Sequence, residues 1–145
     1  MQRRHFISQS ACLAAATLLP VSTFSIAPNR KFKMGLQLFT IRDAMAEDPL
    51  TTLKRVKALG YDDLEIYGYN GDLDTYYGYS SVDFNTILKE LELTATSGHY
   101  NFSFYFDKPI DELNRFVDQC IEGATSLSSK YITWPWLAPE YRNLE

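Results

Sequence analysis

The sequence has 145 residues, a formal net charge of −4 and an aromatic content of 14%. Its 46% hydrophobic and 22% charged residues are ordinary for a globular protein and argue against intrinsic disorder. The length predicts one domain, and the acidic balance lacks the basic footprint of a protein that binds nucleic acid.

The first segment, residues 1–27, is predicted to be a twin-arginine signal peptide. Arg3 and Arg4 precede a short apolar run, which is the pattern of an export signal. The run is too short to cross a membrane as a helix, so we expect no transmembrane span and a periplasmic protein. An uncleaved amphipathic N-terminus is the alternative. Because Cys12 lies in the signal, the mature chain keeps Cys120 alone and forms no internal disulfide.

The rest of the chain, residues 33–145, alternates predicted strands with predicted helices. Short apolar stretches predict four strands, at residues 34–39, 63–67, 93–97 and 130–134. Amphipathic stretches predict three helices, at residues 49–59, 83–91 and 109–127. Such alternation is typical of parallel strands joined by crossover helices in an α/β fold. A complete (β/α)8 barrel needs about 250 residues, so we predict a partial TIM barrel: its N-terminal half, with three βα units and a fourth strand.

Local signals predict where the helices begin and end. Asp48 is a favoured N-cap, and Pro49 is a favoured first helical residue. Asp107 is predicted to cap the third helix, and Leu59 to complete the buried stripe of the first. Two turn-rich connections are predicted as loops: residues 41–48 and 68–81.

Polar residues end the predicted strands, at the edge where a βα barrel carries its chemistry. His99 is a candidate proton shuttle or donor to a sugar oxygen, with a structural role at the rim as the alternative. Gly98 before it would let the backbone approach a ligand. Glu65 needs a partner or a ligand: a substrate hydroxyl, His99, or a salt bridge to Arg42. Gln37 either binds substrate or closes a polar layer.

Aromatic residues surround the same edge. Trp134 and Trp136 offer a flat apolar platform for a sugar, or they plug the rim. The tyrosines of the second connection form a stacking surface or, as the simpler alternative, pack the loop: Tyr67, Tyr69, Tyr76, Tyr77 and Tyr79. Arg42 and Asp43 are candidates for gripping a phosphate, although no Gly-rich phosphate loop is present.

In their order and spacing, these stretches resemble the sugar phosphate isomerase/epimerase family of xylose-isomerase-like TIM barrels. The resemblance covers residues 33–142 and rests on five stretches: Met34–Asp43, Asp48–Pro49, Leu59–Tyr69, Ser97–His99 and Tyr131–Trp136. It implies metal-assisted proton transfer on a sugar, sugar phosphate or polyol, with a divalent ion such as Mn, Mg or Zn. The family's Glu, Asp, His and Glu ligands come from later strands, so none can be assigned here.

On this resemblance, the early part of the pocket is matched by His99 and Glu65 as catalytic residues, with Gln37, Trp134 and Trp136 as substrate-binding residues. We expect the chain alone to bind no metal and to be inactive. The alternative is a non-catalytic truncated fragment, or a carbohydrate-binding half-barrel. Four strands cannot close a barrel, so self-association through two open sheet edges is predicted.

One departure from the family concerns the helix ends. Glu92 occupies a position where the family commonly has glycine, and Ser128 follows the third helix in a similar way. Glycine adopts the left-handed conformation at little cost, so these replacements are expected to loosen the helix exits.

Overall fold

The computed structural model describes residues 32–142. The predicted signal peptide lies outside the described residues, and so does the sequence on which the prediction of export rests. Residues 32–142 contain seven strands: β1 Gly35–Gln37, β2 Asp63–Ile66, β3 Tyr69–Asn70, β4 Thr75–Tyr76, β5 Tyr79–Ser80, β6 Thr94–His99 and β7 Tyr131–Thr133. Four α-helices accompany them: α1 Arg42–Glu47, α2 Pro49–Ala58, α3 Ser81–Glu90 and α4 Ile110–Ser126. No helix within this part of the chain is long and apolar enough to cross a membrane.

The four strands predicted from the sequence form one parallel sheet in the order β1–β2–β6–β7. Crossover connections therefore place neighbouring strands in chain order, as in a βα barrel. Strands β1 and β7 are the two edges of this sheet. The predicted fold class, an α/β partial barrel, is confirmed.

The two faces of the sheet differ in chemistry because side chains alternate along a strand. Leu64 and Ile66 are buried on the helix-covered face, where they join a core with residues of α2 and α3. Asp63 and Glu65 alternate with them and are half-buried on the opposite face. A register shift after Leu64 lets β6 pair across a bulge, and bulges commonly redirect side chains near functional sites.

The helix exits are closed rather than loosened, contrary to expectation. Glu92 and Ser128 adopt left-handed backbone conformations, with φ of 53° and 57°. The Glu92 N–H donates to the Lys89 carbonyl at 3.0 Å, and the Ser128 N–H donates to the Thr125 carbonyl at 2.9 Å. Both exits are completed by a second bond to the last turn of the helix, which is the Schellman pattern. The cost of the missing glycine is therefore strain, not lost hydrogen bonds.

Three details of the sequence prediction are wrong. Residues 41–48 contain α1, whose N-cap Ile41 makes no side-chain capping bond. Asp107 does not cap α4; its carboxylate accepts a hydrogen bond from the Tyr141 hydroxyl instead. Leu59 is 71% exposed, because α2 ends at Ala58 and the chain turns at that residue.

The second connection is a three-stranded antiparallel ribbon, β3–β4–β5, rather than an irregular loop. Tyr76 of this ribbon is fully buried, and its ring stacks on Phe84 of α3 with centroids 5.7 Å apart. Its hydroxyl lies 2.8 Å from the hydroxyl of Tyr100, which is also buried. The ribbon is thus anchored directly behind the end of β6.

The need for glycine at position 98 comes from packing against the core rather than from the predicted close approach of a ligand. A Cβ atom at this position would lie 2.8 Å from the Tyr100 ring and 2.9 Å from the Ile66 side chain. The close approach is therefore to the core, and it allows the Tyr100 ring to lie against β6.

Candidate functional site

Three of the predicted site residues meet at the carboxyl-terminal edge of the sheet. Gln37 ends β1, Glu65 lies in β2 and His99 ends β6. The His99 Nε2 atom lies 3.0 Å from Glu65 Oε2, and its Nδ1 atom lies 2.9 Å from Gln37 Nε2. Parallel strands end at the same edge of a sheet, and this brings together Gln37 and His99, which are 62 positions apart in sequence. We call the hydrogen-bonded set of Gln37, Glu65 and His99 the strand-end cluster.

The direction of the hydrogen bonds in this cluster follows from the orientation of the Gln37 side-chain amide. The backbone N–H of Phe39 donates to Gln37 Oε1, so the Gln37 amide presents its NH₂ group to His99. His99 Nδ1 then accepts, and the proton of the neutral ring resides on Nε2, from which it is donated to Glu65. With this tautomer, both ring nitrogens of His99 make a hydrogen bond, and the two bonds together fix the orientation of the ring.

Glu65 is held by two partners and remains partly open to solvent. Besides His99, it accepts a hydrogen bond from the Ser97 hydroxyl at 3.0 Å. Its side chain is 28% exposed and that of His99 is 24% exposed. The alternative salt bridge to Arg42 is not formed, since the Arg42 guanidinium lies 3.9 Å from Asp43 instead.

An aromatic cavity of about 540 Å³ opens beside His99. Its lining is mainly apolar and aromatic: Phe39, Tyr67, Gly68, Tyr69, Tyr100, Asn101, Phe104, Phe116, Pro135 and Trp136, together with His99. Tyr67 packs edge-on against Phe39 with centroids 5.4 Å apart, and burial raises the pKa of its hydroxyl. That hydroxyl therefore stays a neutral hydrogen-bonding group on an otherwise flat wall.

A second, more open cavity of about 290 Å³ lies along the polar face of the sheet. Gln37 and Glu65 line this second cavity, whereas His99 lines the aromatic one. The strand-end cluster thus separates the two spaces and has polar atoms near both.

The two tryptophans play different parts. Trp136 lines the aromatic cavity and is 54% exposed. Trp134 does not line it; its ring packs against Phe102 and Phe106, with centroids 6.2 and 5.1 Å away. The structure therefore brings one tryptophan to the site and places the other in the rim packing.

Sequence reasoning missed several residues of the site. Ser97 was not singled out, although it precedes Gly98 and His99 on a strand whose bulge turns it towards Glu65. Phe39 was not considered as a wall of the cavity, although it lies two residues after Gln37, the last residue of β1. The signal available for both was their place next to a strand end, which is where barrel sites are built.

The described residues do not include a cluster of metal ligands. Residues 32–142 contain no group of three His, Cys, Asp or Glu side chains that are arranged to hold an ion. Glu65 and His99 are two side chains of this kind that lie together, and they bond to each other.

Comparison with solved structures identifies what this geometry is similar to. A sugar phosphate isomerase/epimerase from Parabacteroides distasonis ATCC 8503 matches 72% of the chain with 26% identity and a TM-score of 0.61. The predicted resemblance to the sugar phosphate isomerase/epimerase family is confirmed over this part of the chain. A second structure of that name from the same organism, at 20% identity and a TM-score of 0.55, supports the fold. Comparisons with protein-family models and with curated protein sequences gave no match.

The isomerase/epimerase-family match is partial in length. The chain spans 39% of the first of these structures and 43% of the second. The barrel sheet described above accordingly accounts for part of a complete TIM barrel.

Proposed function

We propose that this chain forms the sugar-holding part of an isomerase or epimerase that acts on a sugar, a sugar phosphate or a polyol. The observation that carries the proposal is the strand-end cluster of Gln37, Glu65 and His99 beside an aromatic cavity. A sugar presents hydroxyl groups at its edge and C–H groups on its faces. A site with a few convergent polar groups and apolar walls suits such a ligand.

In this proposal His99 and Glu65 hold and orient the substrate. A carboxylate has about four acceptor positions, and Glu65 uses two of them for His99 and Ser97. It therefore retains acceptor capacity for a substrate hydroxyl. Gln37 fixes the His99 ring, so the substrate meets a rigid set of polar atoms, and fixed orientation is what brings a reacting carbon into line with a base.

The divalent metal remains a prediction for the complete family member. When bound, such an ion would polarise the oxygens next to the carbon that exchanges its proton. Residues 32–142 contain no group of three His, Cys, Asp or Glu side chains arranged to hold an ion, and we therefore assign binding and orientation to this part of the chain. Calorimetric titration of the chain with Mn²⁺ tests the expectation of no tight site, and binding tighter than about 1 μM would contradict it.

A non-catalytic, carbohydrate-binding role is the second candidate, and one observation favours it. Both ring nitrogens of His99 are engaged, one by Gln37 and one by Glu65. The ring consequently offers no free lone pair to accept a proton from a substrate. Incubation of candidate sugars with the chain in D₂O separates the two functions, because isomerisation or epimerisation by proton transfer exchanges a carbon-bound proton for deuterium and a binding module does not.

The proposed function is tested by ligand titration of three variants. We expect His99→Ala and Glu65→Gln to weaken sugar binding at least tenfold. The first removes the partner that orients the Glu65 carboxylate, and the second removes the charge from a hydrogen bond that contributes about 1.5–3 kcal/mol. Lys89→Ala, on the exposed side of α3, is the control. Lys57 is unsuitable as a control because it binds Asp62 and the Glu92 carbonyl. Saturation-transfer NMR with pentoses, hexoses and polyols gives the affinities, and equal affinities in all variants would contradict the proposal.

We also propose self-association through the open sheet edges, because β1 and β7 each have one unpaired side among the described strands. Sedimentation velocity over a hundredfold concentration range tests this, and a monomer at every concentration would contradict it. Export is proposed from Arg3 and Arg4. Replacing both by lysine is expected to leave the precursor in the cytoplasm, and unchanged location would contradict the signal.

A further inference from the structure

A short 3₁₀ helix, Leu38–Ile41, follows β1 and supplies one wall of the aromatic cavity. Leu38 is fully buried in the core, whereas Phe39 is 52% exposed and lines the cavity. The Phe39 ring is held by its edge-on contact with the ring of Tyr67. The position of this wall therefore depends on how the first turn of the 3₁₀ helix is fixed.

The side chain of Gln37 caps this 3₁₀ helix. Its Oε1 atom accepts a hydrogen bond from the Phe39 backbone N–H. The first N–H groups of a helix have no partner within the helix, so a side-chain acceptor satisfies one of them. The other end of the same amide, Nε2, lies 2.9 Å from His99 Nδ1. One amide group thus connects the ring of His99 to the backbone of the cavity wall.

This connection requires His99 Nδ1 to be an acceptor. Protonated histidine carries a proton on both ring nitrogens, so its Nδ1–H would face the NH₂ group of Gln37. Rotating the amide by half a turn would bring Oε1 to His99, but it would turn the NH₂ group towards the Phe39 N–H. In either orientation two donors face each other, and one hydrogen bond of the set is lost at a cost in free energy.

Within residues 32–142, the charged group that faces His99 is the Glu65 carboxylate of β2, 3.0 Å from Nε2. Gln37 of β1 and Thr133 of β7, which pairs with His99 in the sheet, are neutral. Asp63, two residues before Glu65, is bonded to β6. Burial raises the pKa of three hydroxyls that line the aromatic cavity, so they stay neutral near pH 7: Tyr67, Tyr69 and Tyr100. Protonated His99 would therefore form an ion pair with Glu65 at one nitrogen and meet the Gln37 amide at the other.

We propose that Gln37 is a positioning residue that couples the protonation state of His99 to the cavity wall at Phe39. With His99 neutral, the amide caps the 3₁₀ helix and Phe39 stays against Tyr67. Histidine side chains ordinarily take up a second proton between about pH 8 and 5. When His99 does so, the Gln37 amide rotates or withdraws, the cap is lost and the Phe39 wall moves. The aromatic cavity is thus complete only beside a neutral His99.

One pH titration of the 145-residue chain, followed by NMR, measures both ends of this coupling. The ring nitrogen-15 signals of His99 report uptake of the proton, and nuclear Overhauser contacts between the rings of Phe39 and Tyr67 report the wall. We expect the two curves to share one midpoint. Below it, the population of the held wall should fall about fivefold, the equilibrium effect of one net hydrogen bond. Circular dichroism at the same pH values confirms that the chain stays folded.

Two variants of Gln37 separate a positioning role from a merely structural one. In Gln37→Glu both side-chain oxygens are acceptors, so one can serve the Phe39 N–H while the other serves protonated His99. His99 should still take up its proton in this variant, and the Phe39–Tyr67 contacts should no longer change with pH. Gln37→Met keeps the length of the side chain and removes both hydrogen bonds, so the contacts should be weakened at every pH.

Asp43→Asn is the matched control, because Asp43 is a titratable group on the other side of the wall. The Arg42 guanidinium lies 4.9 Å from the centroid of the Phe39 ring and 3.9 Å from the Asp43 carboxylate, whose side chain is 96% exposed. The pH response of Phe39 should be unchanged in Asp43→Asn. Its loss there would assign the response to this exposed ion pair and overturn the inference.

The outcomes also separate this inference from the proposed function. The coupling is measured on the free protein, whereas its effect on a ligand rests on the proposed function: glucose and ribose should bind more weakly below the His99 midpoint than above it. If the wall responds to His99 and no sugar binds at any pH, the coupling stands and the proposed function fails. If sugars bind in a manner that depends on His99 and the wall does not respond, the coupling is refuted and the proposed function stands. Separate midpoints for His99 and Phe39, or an unchanged response of Phe39 in Gln37→Glu, would also refute the coupling.

Discussion

The buried hydroxyl pair of Tyr76 and Tyr100 gives the sharpest prediction on how the ribbon is fastened behind the site. The two oxygens are 2.8 Å apart, and the exposed fractions of the side chains are 0% and 2%. Each hydroxyl has the other as its hydrogen-bond partner, so Tyr76→Phe or Tyr100→Phe leaves one buried hydroxyl unpaired. A buried polar group without a partner costs about 1–3 kcal/mol. Each single variant should lose this much stability.

The double variant Tyr76→Phe/Tyr100→Phe is expected to lose less than the sum of the two single variants, and about 0–1 kcal/mol in total. Replacing both partners by apolar groups of the same shape leaves no unpaired hydroxyl, and such replacements are nearly neutral. The coupling is therefore opposite in sign to the single losses. Tyr131→Phe, at a tyrosine that is 62% exposed, is the control and should change little.

Urea unfolding followed by circular dichroism measures these free energies, and thermal melting provides a check. A loss of 1 kcal/mol lowers the melting temperature of a domain of this size by about 4 °C. Strictly additive losses in the double variant would refute the reasoning, because they would mean that neither hydroxyl depends on the other. Neutral single variants would show that the pair does not anchor the ribbon.

Three further predictions concern the backbone and the buried tyrosines. Glu92→Gly and Ser128→Gly should each stabilise the fold by about 0.5–1 kcal/mol in urea unfolding, since relief of left-handed strain exceeds the entropic cost of glycine; destabilisation would contradict this. Gly98→Ala should destabilise by about 1–3 kcal/mol because its Cβ would overlap the Tyr100 ring, and a neutral result would show that the ring moves aside freely. Burial raises the pKa of Tyr100 to about 12 and raises the pKa of Tyr76 as well. The free energy of unfolding should therefore be fully retained below pH 10 and fall as pH rises towards 12. Absorbance at 295 nm should show these tyrosines ionising only as the protein unfolds, and ionisation before unfolding would contradict the prediction.

The parts of the fold that could be predicted from sequence are those in which one short stretch carries its own signal. Asp48 caps α2 by accepting a bond from the Thr51 N–H, and Pro49 begins the helix, as the sequence pattern indicated. The four parallel strands were predicted from short apolar runs bounded by turns. Their order in the sheet then followed from the rule that crossover connections bring successive strands together.

The errors occurred where structure depends on contacts distant in sequence. Helix α1 has no side-chain cap, but Met45 is buried and the Thr52 hydroxyl donates to the Ala44 carbonyl. The ribbon strands have two residues each, too few to show a period. The ribbon is held in place by the burial of Tyr76 against Phe84, a contact that no local sequence pattern predicts.

The candidate site shows the same division. The place of Gln37, Glu65 and His99 at one edge was predicted from strand ends alone, and a contact between Glu65 and His99 was one of the alternatives. The sequence left open whether Glu65 pairs with Arg42 or His99, because both choices satisfy a half-buried carboxylate equally well. The bulge in β6 and the amide orientation of Gln37 decide the partner and the tautomer, and neither has a sequence signal.

The central claim is that Gln37, Glu65 and His99 form one oriented set that contacts a sugar. Nitrogen-15 NMR of the histidine ring tests it most directly, because His99 is one of only two histidines in the sequence and His5 lies in the predicted signal peptide. We predict an Nε2–H tautomer in the free protein and a shift of the His99 ring nitrogens when a sugar is added, with the shift abolished in Glu65→Gln. An Nδ1–H tautomer, or ring signals that do not change at saturating sugar, would contradict the claim.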